Sequence, residues 1–530
     1  MSNTVPESFT AALASPHTLA TEAGMRAYRD GGNAIDAAIA AAAVLTVVYP
    51  HNVALGGDLV ALVRTPDGRV RCINASGWAG AAVDTADLRA RFATALPIRG
   101  PHSITVPGGV RGWESLRRIG ARLPWGVTLR DAQRHAESGS PVARSLAAHL
   151  RDPENNDLFG TADFDRVFRP RGRCLQAGQN FVQPALAQTF AALSADGANS
   201  FYDGTLTESM LSFLRGRGSA LTAADFATYE PEVVEPLTLS FRGLTVLTSP
   251  PNTQGFILLR ALSAIENVAL TDPLGNELGT LLRIFQHSNL LRAEHLADPR
   301  TVPVDVAALV HDNLEAFTHL EPRPEPETVL VPHGDTVGVA AADSDGYAVS
   351  LVQSVFHAFG SGMIDPHTGV LFHNRGSSFV LNESSPNVIA PRKRPAHTLM
   401  PAMTTQGGAI RHAFATMGGQ GQPQIITQVL LRVMAGEELG SAIAAPRAIV
   451  GHQVDGATAS SALIESDLGR LARESIAQEE LLARFTPAHT ESLGQTNAVV
   501  ANPEGSLTAA ADPRADGAGV VAHYPRYRAR

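Results

Sequence analysis

Residues 334–356 read GDTVGVAAADSDGYAVSLVQSVF, and this stretch decides the fold. Thr336 to Ala342 and Tyr347 to Phe356 are apolar, β-branched runs joined by Asp343-Ser344-Asp345-Gly346, where glycine supplies the positive φ of a tight turn, so the pattern is a β-hairpin. The preceding Glu321 to Gly334, EPRPEPETVLVPHG, is proline-rich and acidic and reads as an exposed connector at a boundary. A threonine at the start of a strand just after such a connector admits specific chemistry. Its hydroxyl is a poor nucleophile without a neighbouring base. If internal cleavage made Thr336 the first residue of a chain, its own α-amino group, with a pKa of about 7.7–8.0, would serve as that base. On these residues alone the alternative, an ordinary β-branched strand residue after an Asp-containing turn, stays open.

Outward from the hairpin, strands and helices are interspersed. Near the start, Ala20 to Arg29 is amphipathic and stops at Asp30-Gly31-Gly32, a glycine helix terminator. Ala34 to Leu45 is apolar nearly all round and is expected as a helix between two sheets. Leu59, Ala61 and Val63 alternate as in a strand, Ile425 to Ala435 is helical, and Thr496 to Ala501 and Gly519 to His523 are strand-like. The class is therefore α/β or α+β with large sheets.

The 530 residues carry 42 basic and 51 acidic side chains, a net charge of −9, which argues against a nucleic-acid partner. Hydrophobic residues are 44% and charged residues 18%, the balance of a globular chain with a large core. Cys72 and Cys174 lie in no paired motif, so neither a disulfide framework nor a structural zinc site is expected, and a cytoplasmic location fits. No secretory signal is visible, and the longest apolar stretch, Ala37 to Tyr49, is short of the roughly 20 residues that span a bilayer, so no membrane association is expected. The sole lysine is Lys393. Neither a nucleophile elbow, a phosphate loop nor a metalloprotease helix occurs. Gly418-Gly419-Gln420-Gly421 lacks the spacing of a dinucleotide loop. The 18 histidines show no ligand spacing, and neither metal nor cofactor is expected.

Ten ordered segments carry a resemblance along nearly the whole length: ATEAGMRAYRDGGNAIDAAIAAAAVLTVVYPH, ITVPGGVRGWESL, SFYDG, LTAADFATYEP, TSPPNTQG, DTVGVAAADSDGYAVSLVQSVFHAFGSG, RKRPAHTLMPAM, MGGQGQPQIITQVLL, LGQTNAVV and AADPRADGAG. The chain resembles the γ-glutamyltransferase family of N-terminal-nucleophile enzymes. That resemblance implies a four-layer αββα sandwich processed into a large chain, 1–335, and a small chain, 336–530, with cleavage between Asp335 and Thr336. The two would stay together as a heterodimer, with a dimer of heterodimers as a further option. Thr336 falls on the family's nucleophile and Ser354 on the hydroxyl that bonds it. The oxyanion-hole glycines fall on Gly421 and Gln422 by ungapped counting, or on Gly418 and Gly419 with a gap.

Departures cluster in the substrate pocket. The family's carboxylate-clamping arginine falls on Ser76, its substrate asparagine on Phe356, its amino-reading aspartate on Ser378, and its serine pair on His397 and Thr398. Val337 replaces the second threonine of the family's pair. Arg375 is a candidate replacement clamp, with an ordinary surface arginine as the alternative, and His357, His373 and His397 are candidate pocket residues, each with a structural histidine as the default. The pattern is closer to the acylase and amidohydrolase branch than to the glutathione-acting one. The expected reaction is acyl transfer or hydrolysis by Thr336 on a γ-glutamyl-like or other small amide substrate. Two rivals remain: carbon–carbon bond hydrolysis beside a ketone in a natural-product pathway, and an unprocessed, non-catalytic binding protein.

Overall fold

The computed structural model describes residues 8–319, 335–454 and 456–525; the connector expected at Glu321 to Gly334 lies outside them. Two large sheets form the centre. The first contains β1 (Ser8–Ser15), β2 (Asp58–Arg64), β3 (Val70–Ala75), β4 (Glu232–Val234), and, across the connector, β7 (Asp335–Asp343), β8 (Ala348–Phe356) and β13 (Ala518–Pro525). The second contains β5 (Leu237–Phe241), β6 (Leu244–Thr248), β9 (Ala402–Gln406), β10 (Ala409–Met417), β11 (Gln495–Ala501) and β12 (Leu507–Ala511). Their orders are β13-β1-β7-β8-β2-β3-β4 and β12-β11-β10-β9-β6-β5.

The period-2 pattern of the hairpin explains the layering. In β7, Val337, Val339 and Ala341 join a core with α1 (Thr18–Arg29) and α2 (Ala34–Val48), whereas Ala340 and Ala342 join a core with Leu247, Met403, Ala413 and Ala415 of the other sheet. On the far side of the second sheet lie α3 (Phe256–Asn267), α4 (Leu278–His295) and α5 (Gln422–Met434). The result is the four-layer αββα sandwich. The sheets approach closely at Gly338, where an added Cβ would stand 2.5 Å from the carbonyl carbon of Ala415.

One expectation is corrected. α2 is buried at every position, yet it does not lie between two sheets; it packs on β7 and β8, and its outer side is covered by α1 and the helix Arg130–Ser138. All-round burial of an apolar helix records complete coverage, which helices provide as well as strands. Asn33 starts it with a capping box closed by Asp36.

Candidate active site

β7 and β8 pair in register from Ala348–Ala342 to Gln353–Val337, and the ladder slips by one residue before Phe356–Asp335. Just beyond the last regular rung, Ser354 and Thr336 meet through their side chains. Thr336 Oγ1 donates to Ser354 Oγ at 3.2 Å, and Ser354 Oγ donates to the carbonyl oxygen of Asp335 at 2.6 Å. The Phe356 N–H donates to the same Ser354 oxygen at 2.7 Å. Ser354 thus accepts twice and donates once, and its proton points at the carbonyl of the Asp335–Thr336 peptide bond. Asn52, which sequence reasoning missed, donates to the Thr336 carbonyl at 3.4 Å.

The slip in register has a backbone cost. Phe356 has φ +83°, a left-handed conformation that bulky residues rarely adopt. Its ring lies against the Arg375 guanidinium, 3.5 Å from ring centre to Cζ. Arg375 is 1% exposed. It donates to Thr398 Oγ1 at 3.1 Å, and its Nη1 is buried with no hydrogen-bond partner. Burial pulls its pKa down to about 9, with Asp58 opposing that shift. Among the described residues no carboxylate forms an ion pair with it.

Asp58, at the start of β2 and paired with Ser354 in the sheet, was also missed. Its Oδ1 accepts from the Gly77 and Gly108 N–H groups. Its Oδ2 lies 3.2 Å from His397 Nε2 and 3.5 Å from His373 Nδ1. Burial alone would raise the Asp58 pKa, but His373 and His397 hold it well below the ordinary carboxylate range. His397 accepts the Leu399 N–H on Nδ1, and burial together with Arg375 pulls its pKa to about 4, so it is neutral at pH 7. Its ring nitrogens are therefore both engaged, and it props the pocket wall. His373 Nε2 meets the Thr105 carbonyl at 3.0 Å, and the His357 N–H donates to Asn374. Ser76 and Ser378 are committed as well: Ser76 bonds Asn74 and Asn252, and Ser378 donates to the carbonyls of Arg375 and Ala396.

The glycine turn joins β10 to α5. The Gly421 N–H donates to the Gly418 carbonyl at 2.7 Å and the Gln422 N–H to the Gly419 carbonyl, so both of those amides are used within the turn. The Gln422 side chain accepts the Met400 N–H. Gly418 and Gly419 have φ +135° and +51°, conformations that suit glycine. Gly418 and Asp335 border a cavity of about 220 Å³ that also touches His149, Gln453 and Glu491.

His149 stands 3.9 Å from Asp335 Oδ1 and 3.8 Å from Glu491 Oε2. Burial lowers its pKa, but the Asp335 and Glu491 charges outweigh that and raise it to about 9. With His51 it brings three donor atoms within 4.8 Å of one another, from segments far apart in sequence. Glu491 Oε1 already accepts from Ser145, and His51 Nε2 bonds the same Ser145 hydroxyl; His149 stands between this hydrogen-bonded trio and Asp335.

Residues 20–522 match the family model described as gamma-glutamyltranspeptidase. The chain belongs to the γ-glutamyltranspeptidase family. Among its similar relatives are the glutathione hydrolase-like YwrD proenzyme of Bacillus subtilis, 34% identical with 96% of this chain and 98% of that one aligned, and the oxamate amidohydrolase proenzyme of Klebsiella pneumoniae, 35% identical with 95% and 97% aligned. The solved structure of cephalosporin acylase from Bacillus halodurans superposes with a TM-score of 0.89 at 28% identity, covering 98% of this chain and 97% of that one. This member of the γ-glutamyltranspeptidase family is an enzyme. Among the described residues no helix is long and apolar enough to cross a membrane.

Proposed function

We propose that this protein cuts itself between Asp335 and Thr336 and then uses Thr336 to hydrolyse, or transfer the acyl group of, a small amide whose acyl end carries a carboxylate. The observation that carries this is the hydrogen-bond chain from Thr336 Oγ1 through Ser354 Oγ to the Asp335 carbonyl. In self-cleavage, Thr336 Oγ bonds the Asp335 carbonyl carbon and gives up its proton, and the C–N bond breaks with that nitrogen taking a proton. Water then hydrolyses the ester, leaving an Asp335 carboxylate and a free Thr336 amine. That amine is the base for later turnovers. The names of both relatives describe proenzymes, which supports the reading.

In turnover, Thr336 attacks the substrate carbonyl and the Gly418 and Gly419 N–H groups hold the oxyanion. The alternative pair, Gly421 and Gln422, is disfavoured because their amides already bond within the turn. Arg375, with Thr398 beside it, receives the acyl carboxylate. A buried guanidinium with an unpaired Nη1 is suited to that role. The Klebsiella relative is named for oxamate, an amide with a carboxylate next to its carbonyl. Ser76 and Ser378 offer a γ-glutamyl head group no charge, so glutathione is a poor substrate in this reading. Mass spectrometry of purified protein tests the first step: chains of 335 and 195 residues, the smaller beginning with threonine, are expected. An intact chain after prolonged incubation would overturn it.

A further inference from the structure

The geometry points to Gln254 and Arg292 as positioning residues that hold the oxyanion turn and the Thr398 segment in one rigid frame. The inference rests on the reading above. Gln254, from TSPPNTQG just before α3, is fully buried. Its Nε2 donates to the Thr398 carbonyl at 2.7 Å and to the Gly419 carbonyl at 2.8 Å. One amide group therefore spans the segments assigned to the two ends of the acyl group: the one that receives its carboxylate and the one that stabilises its reacting oxygen.

An amide can turn over and present its oxygen where its nitrogen was; Arg292 prevents this. From α4, its Nη1 donates to Gln254 Oε1 at 2.9 Å and its Nη2 to Gln420 Oε1 at 2.5 Å. A guanidinium has donors only, so Oε1 of Gln254 must face it and both N–H bonds must face the carbonyls. Among the described residues no carboxylate pairs with Arg292, and burial draws its pKa down to about 10. A partly buried cation with only amide partners is unfavourable as a stability device, whereas a planar fork reaching two amides at once is what aligning them requires. The turn needs outside support, because Gly418 and Gly419 have little conformational restraint of their own. Holding the Gly419 carbonyl fixes the 419–420 peptide plane and so anchors the Cα of Gly419, from which the N–H that faces the oxyanion projects.

The test uses processed enzyme and two chromogenic probes of equal acyl length, glutaryl-p-nitroanilide and the uncharged valeryl-p-nitroanilide. Gln254→Leu is expected to lower kcat at least tenfold on both and to raise KM for the glutaryl probe alone. Gln254→Glu, which keeps the acceptor facing Arg292 but has no N–H to donate, should match it. Arg292→Met should behave alike, and Arg292→Lys, which keeps a charged donor but not the planar fork, should recover part of the loss. A Gln254→Leu enzyme with wild-type melting temperature and unchanged kcat on both probes would overturn the frame, as would equal losses in Arg292→Lys and Arg292→Met. Failure of the underlying reading is distinct: Arg375→Met would then leave the glutaryl KM unchanged, whatever Gln254→Leu does.

Discussion

The Ser354 hydroxyl lies 2.6 Å from the carbonyl oxygen of Asp335, the residue immediately before the proposed nucleophile. A donor at that distance polarises the carbonyl and can hold negative charge that develops on it. Ser354→Ala should therefore slow self-cleavage by about 10²–10³-fold, and Ser354→Thr should keep much of the rate. Thr336→Ala should abolish cleavage and Thr336→Ser retain some. Gel time courses of freshly made protein follow all four; normal processing of Ser354→Ala would remove Ser354 from the step.

The two candidate oxyanion pairs separate by substitution. A Cβ on Gly418 would meet Ile425 Cδ1 at 2.4 Å and carry φ +135°, whereas a Cβ on Gly421 meets Ile449 Cδ1 at 3.2 Å. Gly418→Ala should reduce turnover sharply and Gly421→Ala mildly, measured as kcat on processed enzyme. The reverse order would move the oxyanion hole one turn onward.

Arg375→Met removes the charged donor beneath Phe356. Losing a hydrogen bond to a charged group costs about 1.5–3 kcal/mol, so kcat/KM for oxamate or a glutaryl amide should fall by roughly 10–150-fold. The rate on γ-glutamyl-p-nitroanilide, expected to be low, should change little. Steady-state kinetics decide this, and a γ-glutamyl donor turned over faster than every other acyl group would show that the pocket reads the amino-acid head group after all.

His149 predicts a pH window for the uncut chain. Its pKa is raised from 6.5 to about 9 by Asp335 and Glu491, against burial, with Asp152 adding to the rise and the His51 ring 4.8 Å away. A folded value above the unfolded one stabilises the protein fully below about pH 6.5, and the contribution is lost as pH rises through about 9. In a Thr336→Ala background, His149→Gln should lower Tm by about 1–3 °C at pH 6 and by much less at pH 10. An equal decrease at both values would mean that packing, not charge, is lost.

Much of the site was legible because it is local. The alternation of the hairpin puts Thr336 and Ser354 on one face, and a turn of four residues sets the register. The proposed oxyanion turn was only half legible, since counting with or without a gap chooses different amides and only the hydrogen bonds within the turn favour one pair over the other. Asp58 and Arg292 left no readable signal, and Gln254, though inside the TSPPNTQG segment, gave no sign of its role. Their partners lie far along the chain, as Gln254 does from Gly419, and one arginine among so many carries no mark of its role. The position of α2 was missed for a related reason: composition reports that a helix is covered, not what covers it.

Strands from before and after residue 335 alternate within the first sheet, where β1 lies between β13 and β7, and β2 lies beside β8. Neither half contains a finished sheet, so each would present bare edges if translated alone. Assembly from two genes would have to compete with aggregation at every seam. Under the proposed cleavage, a single reading frame that folds first and is cut afterwards would avoid that competition and deliver both halves in equal number, with the new terminus exposed only after the sheet beneath it is complete.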